Sequence, residues 1–369
     1  MQTIACFTES LGGGGAEHQM VVLAGFLAEK GYDVSLVTYA DIPDHYDLPD
    51  GVKRKKISVT HVKGKRIKAI LTLLKVFHFF IWVKTDCIIA YRQCANLRVL
   101  PPLFFRRRIK VICSDRNTSS VLSFRHKLLL NLLYKRADHI VPNSQTQTNF
   151  IAKHKPSLLP KLKTIHNYTD LNQFALSEMP TDTLIMKIVI FSRYSNQKNP
   201  LGFANAMKKL KAKSYHRFEV HWYGAQNGEY NGCNLEYLAV KKQIEELEIN
   251  DVLILHPAVK NPATLMGNYH AVCLPSLYEG FSNSIAEGIC CGKPMLVSDV
   301  SDNSLMVHDG ENGFLFDPLD TDSICDAFLN LFDLSYEKLY LMARKSRAIA
   351  EKLFDKESFI QQYVGLIEE

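Results

Sequence analysis

The sequence predicts an α/β protein made of two doubly wound halves, each a parallel sheet with helices on both faces. Three observations predict it. Short apolar runs alternate with stretches of helical periodicity, the pattern of successive βαβ units. That alternation begins twice, at Thr3–Thr8 and again at residues 187–191, with a polar segment containing Pro180 between the two series. The chain also has 369 residues, which is long for one hydrophobic core, so two domains are expected.

In the first half, Thr3–Thr8 reads as a strand and runs into a Gly-rich loop. Residues 16–30 follow as a helix with Val21, Leu23, Ala24 and Leu27 on one face, and Gly31 ends it. A second strand at 34–38 completes the opening βαβ unit. Residues 67–83 form an amphipathic pattern through Ile70, Leu71, Leu74, Phe77 and Ile81. That stripe is expected to pack on the sheet. Short strands follow at 87–90, 110–113 and 139–142. The second half offers strands at 187–191, 220–223, 252–256, 271–274 and 294–298. Two Rossmann-like halves facing one another across a cleft are the expected architecture.

Composition narrows the class. Hydrophobic residues make up 47% of the chain, ample for packed cores, and no low-complexity tract interrupts them. The nine cysteines are scattered without a Cys-x-x-Cys pair, so reduced, mostly buried thiols of a cytosolic protein are expected. The net charge of +6 conceals an asymmetry. Residues 1–180 carry 26 Lys+Arg against 13 Asp+Glu, or +13, while the remainder carries −7. The basic half is expected to face something anionic.

The most informative stretch is residues 275–288, Pro-Ser-Leu-Tyr-Glu-Gly-Phe-Ser-Asn-Ser-Ile-Ala-Glu-Gly. Glu279 and Glu287 stand with seven residues between them, across a Gly-containing turn that opens a helix between two buried strands. The free amides at such a helix start suit a phosphate. Carboxylates beside it suit neutral hydroxyls on either side of that phosphate. The segment resembles the signature of the retaining glycosyltransferases of family four, which have the GT-B fold. The likeness continues through Gly292-Lys293-Pro294, residues 310–314 and Asp317-Pro318, with Gly288 where the family usually has Ala.

That resemblance implies roles. Glu279 would contact the transferred sugar and Glu287 the ribose hydroxyls, with Gly280, Phe281, Ser282, Asn283 and Ser284 offering amides to the donor. Residues 191–200 resemble the family's Gly-Arg-x-x-x-x-Lys-Asn, with Ser192 for Gly, which makes Arg193 and Lys198 the expected clamp on the diphosphate. The loop Gly12-Gly13-Gly14-Gly15-Ala16-Glu17-His18 would approach the donor diphosphate through Gly14 and Gly15. It fails the dinucleotide spacing Gly-x-Gly-x-x-Gly, because Glu17 or His18 takes the last place. Cys113-Ser114-Asp115-Arg116-Asn117 resembles a first-domain motif near the acceptor: Arg116 would meet a phosphate, and Asp115 reads as structural. Residues 165–170 resemble the family's Asn-Gly-x-Asp at the hinge, with Tyr168 for Gly, and read equally as a linker turn.

By the same resemblance, residues 1–175 would form the acceptor-binding domain, 176–352 the nucleotide-sugar domain, and 353–369 a helix returning to the first. The implied activity moves a hexose or N-acetylhexosamine, with retention, from a nucleoside-diphosphate sugar (UDP before GDP) to a glycan acceptor. That acceptor would be a polyprenyl-diphosphate-linked precursor of a surface polysaccharide. Two alternatives stay open: a UDP-sugar epimerase of the same fold, and a partner subunit that binds the nucleotide-sugar without catalysis.

No metal and no cofactor are expected. Asp320-Thr321-Asp322 mimics a metal-binding Asp-x-Asp but precedes an apolar helical run, so it reads as a helix cap. The first-half cations, among them Lys53–Lys56, Lys63, Arg66, Lys68 and Arg106–Arg108, make an anionic membrane surface the expected partner. Nucleic acid is not, since the nearby aromatic residues form no stacking platform. The expected location is cytoplasmic, peripheral on the inner face of the membrane.

Overall fold

Two six-stranded sheets, parallel throughout, organise the chain. The computed structural model describes residues 1–12, 14–57, 59, 64–116, 124–227 and 234–369. Gly13, Lys63 and Asn117 of the motifs above lie outside the described residues. The chain divides into one unit of Met1–Tyr168 with Lys356–Glu369 and a second of Thr169–Asp355.

In the first unit, strands β1 (Thr3–Thr8), β2 (Asp33–Thr38), β3 (Lys53–Lys56), β4 (Cys87–Tyr91), β5 (Lys110–Asp115) and β6 (His139–Pro142) run in the order β3-β2-β1-β4-β5-β6. Their central members are buried almost end to end, as a sheet covered on both faces requires. Helices α1 (Gly15–Glu29), α2 (Lys65–Trp82), α3 (Gln93–Leu103), α4 (Phe124–Asn131) and α5 (Gln145–His154) connect them. The C-terminal helix, Lys356–Glu368, packs Phe359, Ile360 and Tyr363 into the core beneath β1 and α1.

Two strands, β3 and β12 of the second sheet (Gly313–Phe316), were not foreseen. β3 reads Lys-Arg-Lys-Lys, with no apolar alternation, yet pairs with Ser35–Thr38 of β2 as an edge strand. Asp33 and Asp44 make this possible by pairing with Lys53, Arg54 and Lys56. A cationic edge also resists pairing with another sheet.

The expectation for α2 is reversed. Thr72, Val76 and Phe80 face inward, and the Phe80 ring meets Phe7 of β1 edge-on at 4.8 Å. Ile70, Leu74 and Phe77 of the predicted stripe are exposed, and Leu71 and Ile81 are half-buried. Among the described residues no helix is long and apolar enough to cross a membrane.

In the second unit, β7 (Ile185–Phe191), β8 (Arg217–Gly224), β9 (Leu253–Pro257), β10 (Ala271–Leu274), β11 (Met295–Ser298) and β12 (Gly313–Phe316) run in the order β12-β11-β10-β7-β8-β9. Helices α6 (Pro200–Lys213), α7 (Leu235–Glu246), α8 (Ala263–Met266), α9 (Asn283–Cys290), α10 (Thr321–Phe332) and α11 (Tyr336–Leu353) cover its faces. The eight described cysteines are free thiols, seven of them buried, as expected from their scatter.

Candidate functional site

In each sheet the strand order reverses once, between β1 and β4 in the first unit and between β7 and β10 in the second. Connections leave those neighbouring strands in opposite directions, so a crevice opens at their carboxyl ends, where doubly wound folds bind ligands. In the second unit both sequence motifs start there. Residues 192–199 leave β7, and residues 275–282 leave β10.

Hydrogen bonds join the two loops across some eighty residues of sequence. The Leu277 amide donates to the Gln197 carbonyl at 2.8 Å, and the Gln197 side chain donates to the Tyr278 carbonyl at 3.0 Å. The Ser284 hydroxyl donates to the Phe191 carbonyl at 2.6 Å. Lys198 forms an ion pair with Glu279, both side chains nearly enclosed. Glu279 is itself held by Ser301, whose Oγ accepts from the Glu279 amide at 3.1 Å and donates to its carbonyl at 2.6 Å. Ser301 does this with a left-handed backbone, φ 54°, that few non-glycine residues adopt. Sequence reasoning missed it, since a lone Ser after a strand carries no pattern.

The turn after Lys198 has a similar logic. Asn199 takes φ 56°, which a short amide side chain tolerates, and donates to the Pro318 carbonyl at 2.8 Å. Pro200 then opens α6 at a position whose missing N–H costs nothing. Ser192, the departure from the family's Gly, accepts from the Trp222 indole through its carbonyl at 2.9 Å. Gly224 leaves room for that loop, because a Cβ there would stand 2.5 Å from the Ser192 oxygen. Arg193, on the same loop, is exposed and makes no ion pair among the described residues.

Glu287 lies in α9, half-buried, and its carboxylate makes no hydrogen bond or ion pair among the described residues. Burial pushes its carboxyl up to about 8. The Gly288 that follows has a local cause: an added methyl would lie 3.0 Å from the Met295 sulfur. At the start of α9 the amides of Gly280, Ser282 and Ser284 have no carbonyl partner among the described residues, and Phe281 and Asn283 line the same turn. The hydroxyls of Ser192, Ser195 and Ser276, at the two crevice loops, are buried without a hydrogen-bond partner among the described residues. Ser276 and Ser195 are further candidates that the sequence did not single out.

The rest of the second-half likeness is structural. Lys293 is wholly buried, donates to the Glu178 carbonyl at 2.9 Å, and is held down to about 8 by burial. Asn312 shapes its own turn, accepting from the His308 amide at 2.7 Å. Asp320 caps α10 by accepting from the Asp322 amide at 2.9 Å, and Asp322 pairs with Lys209 and Lys213, which hold it down to about 2. The capping reading of Asp-x-Asp therefore stands. Among the described residues no three His, Cys, Asp or Glu side chains are gathered as a metal would need.

In the first unit, Gly14 is the N-cap of α1 and Gly15 its first residue. The third, Glu17, is buried and folds its carboxylate back beside Gly14, where an added Cβ would meet it. Arg92, with φ 80° at the end of β4, donates to that carboxylate at 2.6 Å. Arg92 was not foreseen; its position at the strand reversal is the signal that could have found it.

Arg116 follows β5. Its guanidinium lies 3.9 Å over the Tyr91 ring and donates to Ser114 Oγ at 3.1 Å and to Asn167 Oδ1 at 2.5 Å. Asp115 is fully buried and accepts from the Tyr134 hydroxyl at 3.3 Å, a structural contact. Residues 167–168 are more than a linker turn. Tyr168 exchanges two hydrogen bonds with the Gln19 side chain, at 2.6 and 2.9 Å, and packs its ring on Phe26 and Phe359.

Comparison with known proteins agrees with this arrangement. The family model described as "Glycosyl transferases group 1" matches residues 184–348, and that described as "Glycosyltransferase Family 4" matches residues 13–173. An N-acetylgalactosamine-N,N'-diacetylbacillosaminyl-diphospho-undecaprenol 4-alpha-N-acetylgalactosaminyltransferase of Campylobacter jejuni is 24% identical over 96% of both chains. A UDP-Gal:alpha-D-GlcNAc-diphosphoundecaprenol alpha-1,3-galactosyltransferase of Escherichia coli is 27% identical over 47% of this chain and 46% of its own. Among solved structures, sucrose-phosphate synthase of Thermosynechococcus elongatus superposes with a TM-score of 0.82 at 17% identity, covering 100% of this chain and 98% of that one. Anabaena HepE, solved with UDP and glucose, gives 0.79 at 19% identity over 100% of both. With both sequence matches falling on its two parallel sheets, the chain belongs to the family-4 glycosyltransferases of GT-B fold.

Proposed function

We propose that this glycosyltransferase moves a hexose or N-acetylhexosamine, with retention and without a metal, from a UDP-sugar to a sugar hydroxyl of a polyprenyl-diphosphate-linked glycan. The observation that carries the reading is the convergence of Lys198 and Glu279 at the β7/β10 crevice, with an unpaired Glu287 on the adjoining helix. A diphosphate takes Lys198 and Arg193, and the sugar hydroxyls take the Glu279 carboxylate that Lys198 releases. Glu287 accepts from the ribose hydroxyls, and the turn from Gly280 to Ser284 directs its amides at the phosphates.

As the sugar C1–oxygen bond to the phosphate breaks, the two cations neutralise the charge that develops. The acceptor oxygen bonds to C1 on the same face, and its proton passes to the departing phosphate oxygen. Arg116 is assigned to a substrate phosphate, and the Gly14–Gly15 amides to an anionic group. The relatives named above for undecaprenyl-diphosphate substrates, and HepE crystallised with UDP, support the acceptor and donor classes. A peripheral seat on the cytoplasmic membrane face, through the basic first half, belongs to the same reading.

Incubation with UDP- and GDP-sugars and a polyprenyl-diphosphate-linked acceptor, with and without EDTA, tests it. Transfer with an unchanged anomeric configuration is expected in both. An inverted product, an EDTA-sensitive reaction, or an epimerised sugar formed without acceptor would overturn it.

A further inference from the structure

Arg116 is fixed on three sides, with one of its nitrogens left over. A guanidinium offers five N–H donors in one plane and two flat faces. Here Nε donates to Ser114 Oγ at 3.1 Å, Nη1 donates to Asn167 Oδ1 at 2.5 Å, and one face lies 3.9 Å above the Tyr91 ring. Ser114 is itself committed: its hydroxyl donates to the Val141 carbonyl at 2.8 Å and keeps a lone pair for Arg116. Nη2 is buried and has no hydrogen-bond partner among the described residues. Arg136 of the same unit shows how a purely structural arginine differs. It uses every nitrogen, on the carbonyls of Leu103, Arg106 and Ile109 and on the Asp138 carboxylate. A buried charged donor is costly without an acceptor, so the spare Nη2 of Arg116 calls for an anionic oxygen from outside the chain.

The support beneath Arg116 reaches further. Tyr91, the last residue of β4, is wholly buried and stands in register with Ser114 of β5. Its hydroxyl shares a hydrogen bond of 2.8 Å with that of Tyr363, also wholly buried, on the C-terminal helix. That helix is clamped to the end of α1. Lys356 pairs with Glu29 and Glu357 with Lys30, both at 2.7 Å, and the Tyr32 hydroxyl donates to Glu368 at 3.0 Å. Tyr363 is therefore a fixed post. When Tyr91 donates to it, electron density moves onto the Tyr91 ring and strengthens its hold on the cation above. A tilt of that ring would swing the guanidinium off the line of its other two hydrogen bonds.

We propose that Tyr91 and Tyr363 are positioning residues, which hold the Arg116 guanidinium so that Nη2 meets a phosphate oxygen of the acceptor's diphosphate. The inference rests on the reading of the acceptor as a prenyl-diphosphate-linked glycan. Neither tyrosine touches substrate. Both act on acceptor affinity through Arg116, and neither acts on the nucleotide.

Geranyl diphosphate, a soluble prenyl diphosphate, is titrated calorimetrically into the full chain saturated with UDP, so that it cannot occupy the nucleotide site. Arg116→Ala should weaken its binding about 30-fold, Tyr91→Leu about tenfold and Tyr363→Phe about threefold. Tyr91→Phe keeps the ring and loses the hydroxyl, so it should match Tyr363→Phe and be no worse when combined with it. The decisive arm is the cycle: on the Arg116→Ala background the tyrosine substitutions should cost nothing more. Kinetics supply a second readout. The tyrosine variants should raise KM for a prenyl-diphosphate-linked acceptor while kcat and KM for the UDP-sugar hold.

Losses that add on the Arg116→Ala background mark the tyrosines as merely structural and overturn the inference, as do unchanged affinities in Tyr91→Leu and Tyr363→Phe. The two readings fail differently. A wild-type chain that transfers sugar to no prenyl-diphosphate acceptor removes the functional reading, and this inference with it. Intact transfer with silent tyrosines removes the positioning role alone.

Discussion

Glu287→Gln should remove one pH-dependent loss of stability between pH 4.5 and 8. The carboxyl stands at about 8 in the folded chain against an ordinary 4.5, because burial disfavours its charge and no cation offsets that. Below pH 4.5 the group is neutral in both states, and folding is at full strength. Between 4.5 and 8 the unfolded chain gives up the proton while the folded chain keeps it, so stability falls as pH rises. Above 8 both forms are charged and the slope ends. If water were wholly excluded the loss would be about 5 kcal/mol. Because the residue is half-buried, we expect roughly half of that.

Gln has the same shape and no proton to lose. In fluorescence melts that follow the buried Trp222 of the same unit, the wild-type chain and the variant should melt together near pH 4.5. By pH 9 the variant should melt about 5–10 °C higher, taking 2–4 °C per kcal/mol for a unit of this size. A difference that stays constant from pH 5 to 9, or grows in the opposite sense, would refute the account of Glu287 as an enclosed, unpaired acid. Function should run the other way. In the proposed function two ribose hydroxyls would take the carboxylate, so wild-type affinity for UDP should climb towards pH 8 and binding should release close to one proton. Both effects should vanish in the variant.

Three further outcomes follow from the crevice. Lys198→Met leaves Glu279 enclosed without its cation and should cost about 3 kcal/mol, much of it recovered when Glu279→Gln is added; strictly additive losses in denaturant melts would show the pair to be unimportant. Lys198→Ala should also lower kcat by about 10²–10³, as removal of a transition-state cation does, and an unchanged turnover would dismiss its assigned role. Ser301→Gly relieves the left-handed backbone, worth about 1 kcal/mol, and removes both hydrogen bonds to Glu279. Its melting temperature should therefore hold or rise while kcat falls about tenfold, and a parallel loss of both would mark Ser301 as merely structural.

How much was readable beforehand depended on whether one local pattern determined the answer. Most strands of both sheets, though neither β3 nor β12, were legible because a parallel strand covered on both faces must be an unbroken apolar run, and little else looks like residues 87–91 or 271–274. The Lys198–Glu279 meeting was legible only through the family likeness, since eighty residues separate them and strand order alone brings their loops together. Ser301 and Arg92 were hidden for a related reason. Each acts through a left-handed backbone at the end of a strand, a conformation that Gly or Asn would have announced and that Ser and Arg conceal.

The α2 reversal shows a limit of a different kind. Periodicity says that a segment is helical and that one side is apolar; it does not say which of two apolar sides meets the sheet. Residues 65–82 have two such sides. Thr72, Val76 and Phe80 form the narrower one, and Val76 and Phe80 join the core that also holds Phe7, Ile88 and Val99. The broader side, Ile67 to Phe77, is left outward with Arg66 at its edge. The neighbours of the stripe, not the stripe itself, hold the information about where it goes.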